Sequence, residues 1–237
     1  MKNQHRSKIV ITGSEGRIGL MLQQGLSEYF DLYLVDNKKF KTKNSYKLDI
    51  AKNFLELKSI LKSKDIIIHL AWDNREDFPN NKIIPENKIM AENIYRAAVE
   101  TGVKRIIFAS SVHASDYSNI KKVKISPFDD PWPDTPYGAS KIYIENLGKY
   151  YARSHGLEVI CIRLGGVNPQ NKILYQEDPN YDKVLLHKED LIELIKKCIE
   201  CKKVPNNYSV FYAISNNPNR VHSFDNFLGW RPKFPKK

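Results

Sequence analysis

The chain has 237 residues, of which 41% are hydrophobic, and it carries a formal net charge of +11 at pH 7. This length is enough for one domain with a sizeable core, and we expect a single domain. The sequence contains no apolar run long enough to span a membrane and no hydrophobic segment behind its charged N-terminus. It therefore predicts neither a membrane span nor a secretory signal, and we expect a cytoplasmic protein.

Basic residues outnumber acidic ones by 38 to 27, but the lysines are spread along the chain and are not gathered on one helix face. This favours a solvated surface over a nucleic-acid site, and the charge would attract an anionic cofactor or substrate. The three cysteines, Cys161, Cys198 and Cys201, are typical of a reducing compartment. Cys198 and Cys201 form a single C-x-x-C in a helical pattern, which favours helix packing over redox chemistry, and no metal site is expected.

The first elements predict a strand, a glycine turn, a helix and a second strand. A β-branched run at 8–12 precedes TGSEGRIG at 12–19, apolar residues then recur at helical spacing, and DLYLVDN at 31–37 is a strand that contains Asp36. In a dinucleotide-binding unit the glycines permit the tight turn, the approach of the pyrophosphate and close helix packing, and the acid binds a ribose. The spacing favours this interpretation over an ordinary glycine turn.

Asp36 also bears on the choice of dinucleotide. Its charge would repel the 2′-phosphate of NADP, whereas its oxygens suit the free ribose diol of NAD. Lys38, Lys39 and Arg17 could neutralise a phosphate, so NADP stays open as an alternative. The sequence predicts NAD.

Strands and helices continue to alternate along the rest of the chain, without an internal repeat. The predicted helices are 53–63, 85–102, 135–156 and 187–203, and the predicted strands are 65–72, 103–111, 157–166 and 208–215. This rhythm predicts an α/β fold, a Rossmann-type doubly wound parallel sheet with ligands at the carboxyl ends of its strands. We expect residues 1–165 to form mainly the NAD-binding core and residues 166–237 mainly a small substrate-binding portion. Pro/Asn-rich loops at 73–85, 126–136 and 168–180 would line the substrate pocket.

The segment YGASK predicts a proton-transfer group. Tyr137 and Lys141 are four residues apart and so project from one helix face. A tyrosine is a poor base at neutral pH, but a neighbouring lysine cation stabilises the phenolate. A solvated Tyr/Lys pair is the alternative for this spacing alone.

Combined with TGxxGxxG, Asp36 and the serine doublet that ends the strand 103–111, the pair resembles the extended short-chain dehydrogenase/reductase superfamily, which includes NAD-dependent epimerases and dehydratases. The resemblance implies a catalytic triad of Ser111, Tyr137 and Lys141. It places the glycine loop at the pyrophosphate, Asp49 and Ile50 beside adenine, and Asn87 as the active-site helix asparagine. The full set of cofactor-binding candidates is Thr12, Gly13, Gly16, Arg17, Ile18, Gly19, Asp36, Asn37, Asp49, Ile50, Leu70, Ala71, Trp72, Asn87, Ser110, Tyr137 and Lys141.

Within that superfamily the chain is most similar to uronate dehydrogenases, which oxidise C1 of a hexuronic acid with NAD. The likeness lies in GVKRIIFASSVHA, in the segment from Tyr137 to Gly165, and in the C-terminal VFYAISNNPNR and FLGWRPK. It implies the substrate-binding candidates Asn74, Ser111, Val112, His113, Tyr137, Gly166, Lys172 and Lys183.

The chain departs from the uronate dehydrogenase pattern in three places. Val112 replaces an asparagine, Gly166 replaces a serine, and no arginine lies between Arg163 and Arg220 to clamp a substrate carboxylate. Lys172 or Lys183 could supply a cation, although lysine lacks the bidentate fork of arginine. His113 could bind a sugar hydroxyl or could be a buried structural histidine.

The sequence thus predicts an NAD-dependent oxidoreductase for a sugar or sugar acid. Tyr137 acts as the base, Ser111 orients the oxygen, and Lys141 assists Tyr137 and holds the nicotinamide ribose. Two alternatives stay open, a sugar or nucleotide-sugar epimerase and a non-catalytic NAD(P)-binding regulator. The resemblance also implies a homodimer joined by the helices at 85–102 and 135–156.

Overall fold

The structure, a computed structural model, describes residues 6–38, 42–76, 82–115, 117, 124–174 and 178–235. The main sheet has seven strands, all parallel, in the order β3-β2-β1-β4-β5-β6-β9. These strands are β1 (Lys8–Thr12), β2 (Asp31–Asp36), β3 (Ser45–Lys47), β4 (Ile66–His69), β5 (Arg105–Ser111), β6 (Glu158–Leu164) and β9 (Tyr208–Ala213). A separate parallel pair is formed by β7 (Gly166–Val167) and β8 (Leu185–Leu186).

Helices cover both faces of the sheet, as its continuous apolar strands require. They are α1 (Arg17–Leu26), α2 (Phe54–Leu61), α3 (Pro85–Thr101), α4 (Pro136–His155), the short α5 (Tyr181–Val184) and α6 (Lys188–Glu200). Because successive strand residues point to opposite faces, Ile9 joins Leu22 and Leu194 in one core while Val10 joins Leu57 and Ile94 in the other. The Rossmann-type fold expected from the sequence is confirmed.

The two long helices begin and end where their sequences permit. Pro85 and Pro136 occupy the first turns of α3 and α4, where a missing N–H costs nothing. The side chain of Thr135 caps α4 by accepting a hydrogen bond from the Gly138 N–H at 3.0 Å. Gly102 and Gly156 end the helices in the left-handed region, with φ of 74° and 68°. Tyr137 and Lys141 therefore lie in the first two turns of α4.

The structure differs from the predicted elements mainly after β6. The predicted strand 157–166 ends at Leu164, and Gly166 pairs with Leu185 in the second sheet. The edge strand β3, the pair β7/β8 and α5 were not predicted, because elements of two to four residues carry little periodicity.

Helix α6 ends at Glu200 and not at 203, because Arg105 binds its last carbonyls. The guanidinium donates to the carbonyl oxygens of Cys198, Ile199 and Cys201 at 2.8 to 3.0 Å, and it also pairs with buried Glu158. Burial raises the pKa of the Cys198 thiol well above its usual value, which agrees with a packing role. Among the helices that the structure describes, none is long and apolar enough to cross a membrane.

Candidate active site

The glycine loop between β1 and α1 is packed too closely for side chains. Gly13 has φ of 67°, and a Cβ there would lie 2.7 Å from the Ala71 backbone nitrogen. A Cβ on Gly19 would lie 2.4 Å from the Ser14 carbonyl oxygen. Gly16 precedes α1, whose first N–H groups Arg17 and Ile18 supply. The N–H groups of the first turn of a helix lack partners within the helix, so those of Arg17 and Ile18 can bind a diphosphate.

Asp36 is fixed at the carboxyl end of β2 by two backbone amides. Its Oδ2 accepts from the Glu15 N–H at 2.9 Å, and its Oδ1 accepts from the Lys38 N–H at 3.0 Å. Each carboxylate oxygen has a second lone pair, so the carboxylate can still accept hydrogen bonds from a ribose diol. The neighbouring Asn37 is exposed.

The expected adenine and cofactor-lining residues follow β3 and β4 at the same edge of the sheet. Asp49 Oδ1 accepts from the Ala51 N–H at 3.1 Å, and the Ile50 carbonyl accepts from the Asn93 side chain at 2.8 Å. The Leu70 N–H donates to the Thr12 carbonyl oxygen at 3.2 Å. The contact between Leu70 and Thr12 holds the loop after β4 against the end of β1, where the glycine loop starts.

Thr12 and His69 join the ends of β1 and β4. Thr12 Oγ1 lies 2.7 Å from His69 Nδ1, and the Ala71 N–H donates to the same hydroxyl at 3.4 Å. Burial and the nearby Lys141 cation lower the pKa of His69 to about 3, so its ring is neutral at physiological pH. Thr12 is thus a structural anchor of the loop that Ala71 belongs to.

Helix α4 brings Tyr137 and Lys141 to the end of β5, where Ser111 lies. Ser111 Oγ accepts from the His113 N–H at 3.2 Å and so caps a 3-10 turn at Val112–Ala114. Lys141 Nζ donates to the Ala109 carbonyl oxygen at 2.9 Å and lies 5.2 Å from the Tyr137 ring centre. The lysine is 2% exposed. A cation so poorly solvated and so close to a phenol stabilises the phenolate that proton transfer requires.

Close packing of α4 against the Ser111 turn depends on Gly138. A Cβ on Gly138 would lie 2.1 Å from the His113 carbonyl oxygen. The residue after Tyr137 must therefore be glycine for the helix to approach the turn, a requirement that the sequence analysis did not identify.

Ser110 was expected beside the cofactor. Because neighbouring residues of a strand point to opposite faces of the sheet, its side chain points away from the cleft in which Ser111 lies. Its hydroxyl donates to Glu145 Oε1 at 2.6 Å. Glu145 lies one helical turn beyond Lys141 and pairs with buried Arg163, with 2.8 Å between Nη2 and Oε2. Arg163 Nη1 continues to the Tyr212 hydroxyl at 3.1 Å, and that hydroxyl donates to Ser115 Oγ at 2.7 Å. This chain of buried polar groups supports the Ser111 turn from behind.

Asn87 was expected to be the active-site helix asparagine. Its side chain holds the loop after β4 by binding the backbone of that loop. Its Oδ1 accepts from the Asp73 N–H at 2.7 Å, and its Nδ2 donates to the Asp73 carbonyl oxygen at 3.0 Å. Glu76, in the same loop, is fully buried and was missed by the sequence analysis, since a lone glutamate in a polar loop gives no signal. It accepts from the Trp72 indole N–H at 3.0 Å.

His113 is oriented by an acid near Tyr137. Its Nδ1 lies 3.0 Å from Asp134 Oδ1, and its ring contacts the Tyr117 ring with centres 4.6 Å apart. Val112 beside it is buried among apolar residues. The structure thus brings His113 close to Tyr137, with ring centres 6.0 Å apart.

The remaining substrate candidates lie in the segment after β6. A Cβ on Gly166 would lie 2.6 Å from Cζ and 2.8 Å from the hydroxyl of Tyr181, so the buried Tyr181 ring fills the space of a side chain at 166. Lys183 Nζ donates to Asn180 Oδ1 at 2.8 Å, and Lys172 is exposed. The side chain of Asn74 lies outside the described residues.

Comparison with known proteins places this geometry among related enzymes. A model of the NAD dependent epimerase/dehydratase family matches residues 9–202. The YtbQ protein of Bacillus subtilis is 31% identical over 95% of this chain and 94% of its own, and an L-arabinose 1-dehydrogenase (NAD(P)(+)) of Haloferax volcanii is 26% identical over 96% of both. The crystal structure of uronate dehydrogenase from Agrobacterium tumefaciens superposes with a TM-score of 0.81 at 26% identity, covering 96% of this chain and 84% of that one.

Proposed function

Because the chain belongs to the NAD dependent epimerase/dehydratase family, we propose that it is an NAD-dependent dehydrogenase that oxidises a sugar or a sugar acid. The observation that carries this proposal is the complete set of Ser111, Tyr137 and Lys141 at the carboxyl end of β5. The dehydrogenases named above are similar to this chain over 96% and 84% of their own lengths, which supports the same reaction class here.

The glycine loop and Asp36 fit NAD on physical grounds. Gly13 and Gly19 pack directly against backbone atoms and carry no side chains. The amides at the start of α1 are therefore accessible to a diphosphate. Asp36 presents a negative charge at the end of β2, which favours a ribose diol over a 2′-phosphate. When bound, NAD supplies the acceptor for the hydride that leaves the sugar carbon.

The protein's own residues perform the proton chemistry. Ser111 donates a hydrogen bond to the sugar hydroxyl and fixes its direction. Tyr137 takes the hydroxyl proton as the carbon loses its hydride, so one hydride and one proton leave the alcohol and a carbonyl forms. Lys141 favours the phenolate through its buried charge. Alignment of this kind contributes on the order of 7–11 kcal/mol to barrier lowering in favourable cases.

For the substrate, the proposal is the anomeric hydroxyl of a small free sugar or uronic acid. His113, held by Asp134, supports recognition of a sugar hydroxyl, and Lys183 and Lys172 are the candidate cations for a substrate anion. The chain lacks an arginine between 163 and 220, so a carboxylate would be bound differently from the arginine clamp expected of uronate dehydrogenases.

The proposal is tested by incubating the purified protein with NAD and with each member of a panel of aldoses, uronic acids, sugar phosphates and nucleotide sugars. Formation of NADH at 340 nm with a free sugar or uronic acid is the expected result. Conversion of a sugar to its epimer without net NADH would replace the proposal by an epimerase. Binding of NAD without turnover of any member would replace it by a regulator.

The proposal extends to the oligomeric state and the cellular location of the protein. A homodimer joined through α3 and α4 is supported by the exposed side chains of Ile89, Tyr143 and Tyr150 on these two helices. Three free cysteines support a cytoplasmic location. The link from Glu145 through Arg163 to Tyr212 supports one folding unit in which residues 1–165 bind NAD and residues 166–237 contribute the substrate side. Light scattering of the purified protein measures the dimer directly.

A further inference from the structure

We propose that Trp72 and Glu76 are positioning residues that enclose the Lys141 ammonium and keep water away from it. The inference deepens the proposed function and rests on it where catalysis is concerned. Its starting point is a distance: Lys141 Nζ lies 3.7 Å from the centre of the Trp72 ring. An indole face is the best aromatic partner for a cation, and the attraction grows when the pair is shielded from water.

Glu76 holds the indole in this position. Its carboxylate is fully buried, and Oε2 accepts the Trp72 indole N–H at 3.0 Å. Its Oε1 accepts the Ile84 N–H at 2.7 Å and the Ser140 hydroxyl at 3.3 Å. Glu76 thus ties the loop after β4 to the residue before α3 and to α4, directly beside Lys141.

The three donors around Glu76 make the carboxylate difficult to replace. The indole and the Ile84 amide can only donate, so the group between them must accept on both oxygens. A glutamine would present an NH₂ to one of these donors and leave a buried mismatch. The need for an acceptor on both sides explains why the buried residue is the acid Glu76. Its carboxylate in turn fixes the Trp72 ring that covers Lys141.

The loop that carries Trp72 is held from the other side as well. Asn87 makes both of its amide hydrogen bonds to the Asp73 backbone, one residue after Trp72. With Asn87 and Glu76 at its two ends, the short segment 72–76 cannot swing away without breaking several buried hydrogen bonds. The indole is therefore a fixed wall of the Lys141 site.

This wall matters because Lys141 acts through its charge. Its ammonium lies 5.2 Å from the Tyr137 ring centre, and the attraction to a phenolate weakens when water fills the space between them. Removing the indole face admits water and lets Nζ reorient. Tyr137 then loses its proton at a higher pH, so the rate of sugar oxidation rises only at a higher pH.

Other titratable groups near Lys141 do not produce the same change. His69 on β4 stays neutral, because its pKa is lowered to about 3. Glu145 on α4 is paired with Arg163, and His113, which is paired with Asp134, has its ring centre 6.0 Å from that of Tyr137. The Trp72 indole contacts Glu76, Lys141 and Phe108, so these other titratable groups provide a constant background for Trp72 variants.

The first experiment needs neither cofactor nor substrate. Lysine amines are acetylated briefly in the purified protein and are quantified by mass spectrometry. Lys141 should be protected in the wild type, labelled several-fold faster in Trp72→Leu and Glu76→Gln, and labelled at an intermediate rate in Trp72→Phe, which keeps a ring face. Lys188, whose side chain is 40% exposed, should be labelled equally in all four proteins. Unchanged protection of Lys141 in folded Trp72→Leu would overturn the proposal.

The second experiment measures kcat against pH for the sugar that gives NADH. The rising limb should move upward by about half to one pH unit in Trp72→Leu and by less in Trp72→Phe. Tyr29→Leu is the matched control, because it removes a ring 3.2 Å from Lys196 Nζ at the opposite edge of the sheet. If the rising limb of kcat lies at the same pH in Trp72→Leu and in wild type, the catalytic part of the proposal is overturned.

If Trp72→Leu does not fold, Trp72→Phe decides both measurements. If the wild type has no activity on any sugar, the proposed function is refuted, and the labelling experiment still tests whether Trp72 shields Lys141.

Discussion

The backbone of His113 and the missing side chain of Gly138 fix the distance between helix α4 and the turn that follows Ser111. A Cβ on Gly138 would stand 2.1 Å from the His113 carbonyl oxygen, which no side-chain rotation can relieve. Helix α4 carries Tyr137 and Lys141 and the turn begins at Ser111, so this contact limits how closely the three side chains can approach one another.

Gly138→Ala should therefore reduce kcat by about 100-fold, because a displacement near 1 Å misaligns the base and the serine. Gly156→Ala at the other end of α4 is the control. It has no atom within 4 Å of its Cβ and a φ of 68°, so it should cost about 1–2 kcal/mol of stability and leave kcat unchanged. Equal kcat values for Gly138→Ala and wild type would contradict the packing argument.

Tyr137→Phe should reduce sugar oxidation strongly while NAD binding is retained, because the variant lacks only the proposed proton acceptor. We expect a loss of roughly 10²–10⁴-fold in kcat. Tyr150→Phe, on an exposed position of the same helix, should have wild-type kinetics. Stopped-flow NADH formation and calorimetric titration of NAD measure the two properties, and substantial turnover by Tyr137→Phe would assign the base elsewhere.

Asp36→Asn should weaken the preference for NAD over NADP. The asparagine removes the charge that repels a 2′-phosphate and turns an NH₂ toward the Glu15 or Lys38 amide, so NAD affinity falls as well. The ratio of kcat/KM for NAD to that for NADP should decrease by about tenfold, a difference of about 1.4 kcal/mol. Asp31→Asn, exposed at the other end of β2, should leave the ratio unchanged.

Gly166→Ser should strain the substrate side, because its Cβ would meet the Tyr181 ring at 2.6 Å. We expect a stability loss of about 1–3 kcal/mol and a higher KM for the sugar, with an unchanged KM for NAD. Adding Tyr181→Ala should relieve the strain, so the double variant would be more stable than the sum of the single changes predicts. Strict additivity in urea unfolding would show that the two positions do not meet.

Stability should decrease as the pH falls below about 6.5, where unfolded histidine becomes protonated. The pKa of His69 is lowered to about 3 by burial and Lys141, and that of His222 to about 4 by burial and Arg163. Between the folded and the unfolded pKa, the unfolded protein binds a proton at each histidine and the native protein does not. Each residue therefore contributes stability above pH 6.5 that is lost as the pH falls toward its folded pKa. The loss is about 1.4 kcal/mol per pH unit.

His69→Gln should make this pH dependence shallower by about one proton, as urea unfolding between pH 7 and 5 would measure. His155→Gln, at an exposed position at the end of α4, is the comparison and should keep the wild-type slope. A slope equal to wild type in His69→Gln would mean that His69 is protonated in the folded protein.

The sequence predicted the parts of the structure that depend on local pattern. The glycine loop, the sheet strands longer than three residues and the helix that carries Tyr137 and Lys141 all follow from periodicity and spacing. The confirmed family and NAD dependence follow from the same motifs.

Other features depend on contacts between distant residues and could not be predicted. Glu76 owes its role to donors from Trp72, Ile84 and Ser140, which come from three different segments. The ring of Tyr181 takes the place of a side chain at Gly166 only because β7 and β8 bring the two together. Arg105 ends α6 through three carbonyls almost a hundred residues further along the chain.

The hydrogen-bonded line from Ser110 to Tyr212 has a consequence for biosynthesis. Tyr212 belongs to β9, the last strand of the sheet, and its hydroxyl completes the contacts of Arg163 and Ser115. On the ribosome, the glycine loop and Tyr137 emerge long before that strand does. Until β9 pairs with β6, Arg163 and Ser115 lack the Tyr212 hydroxyl, so the support behind the Ser111 turn is completed by one of the last strands to be synthesised.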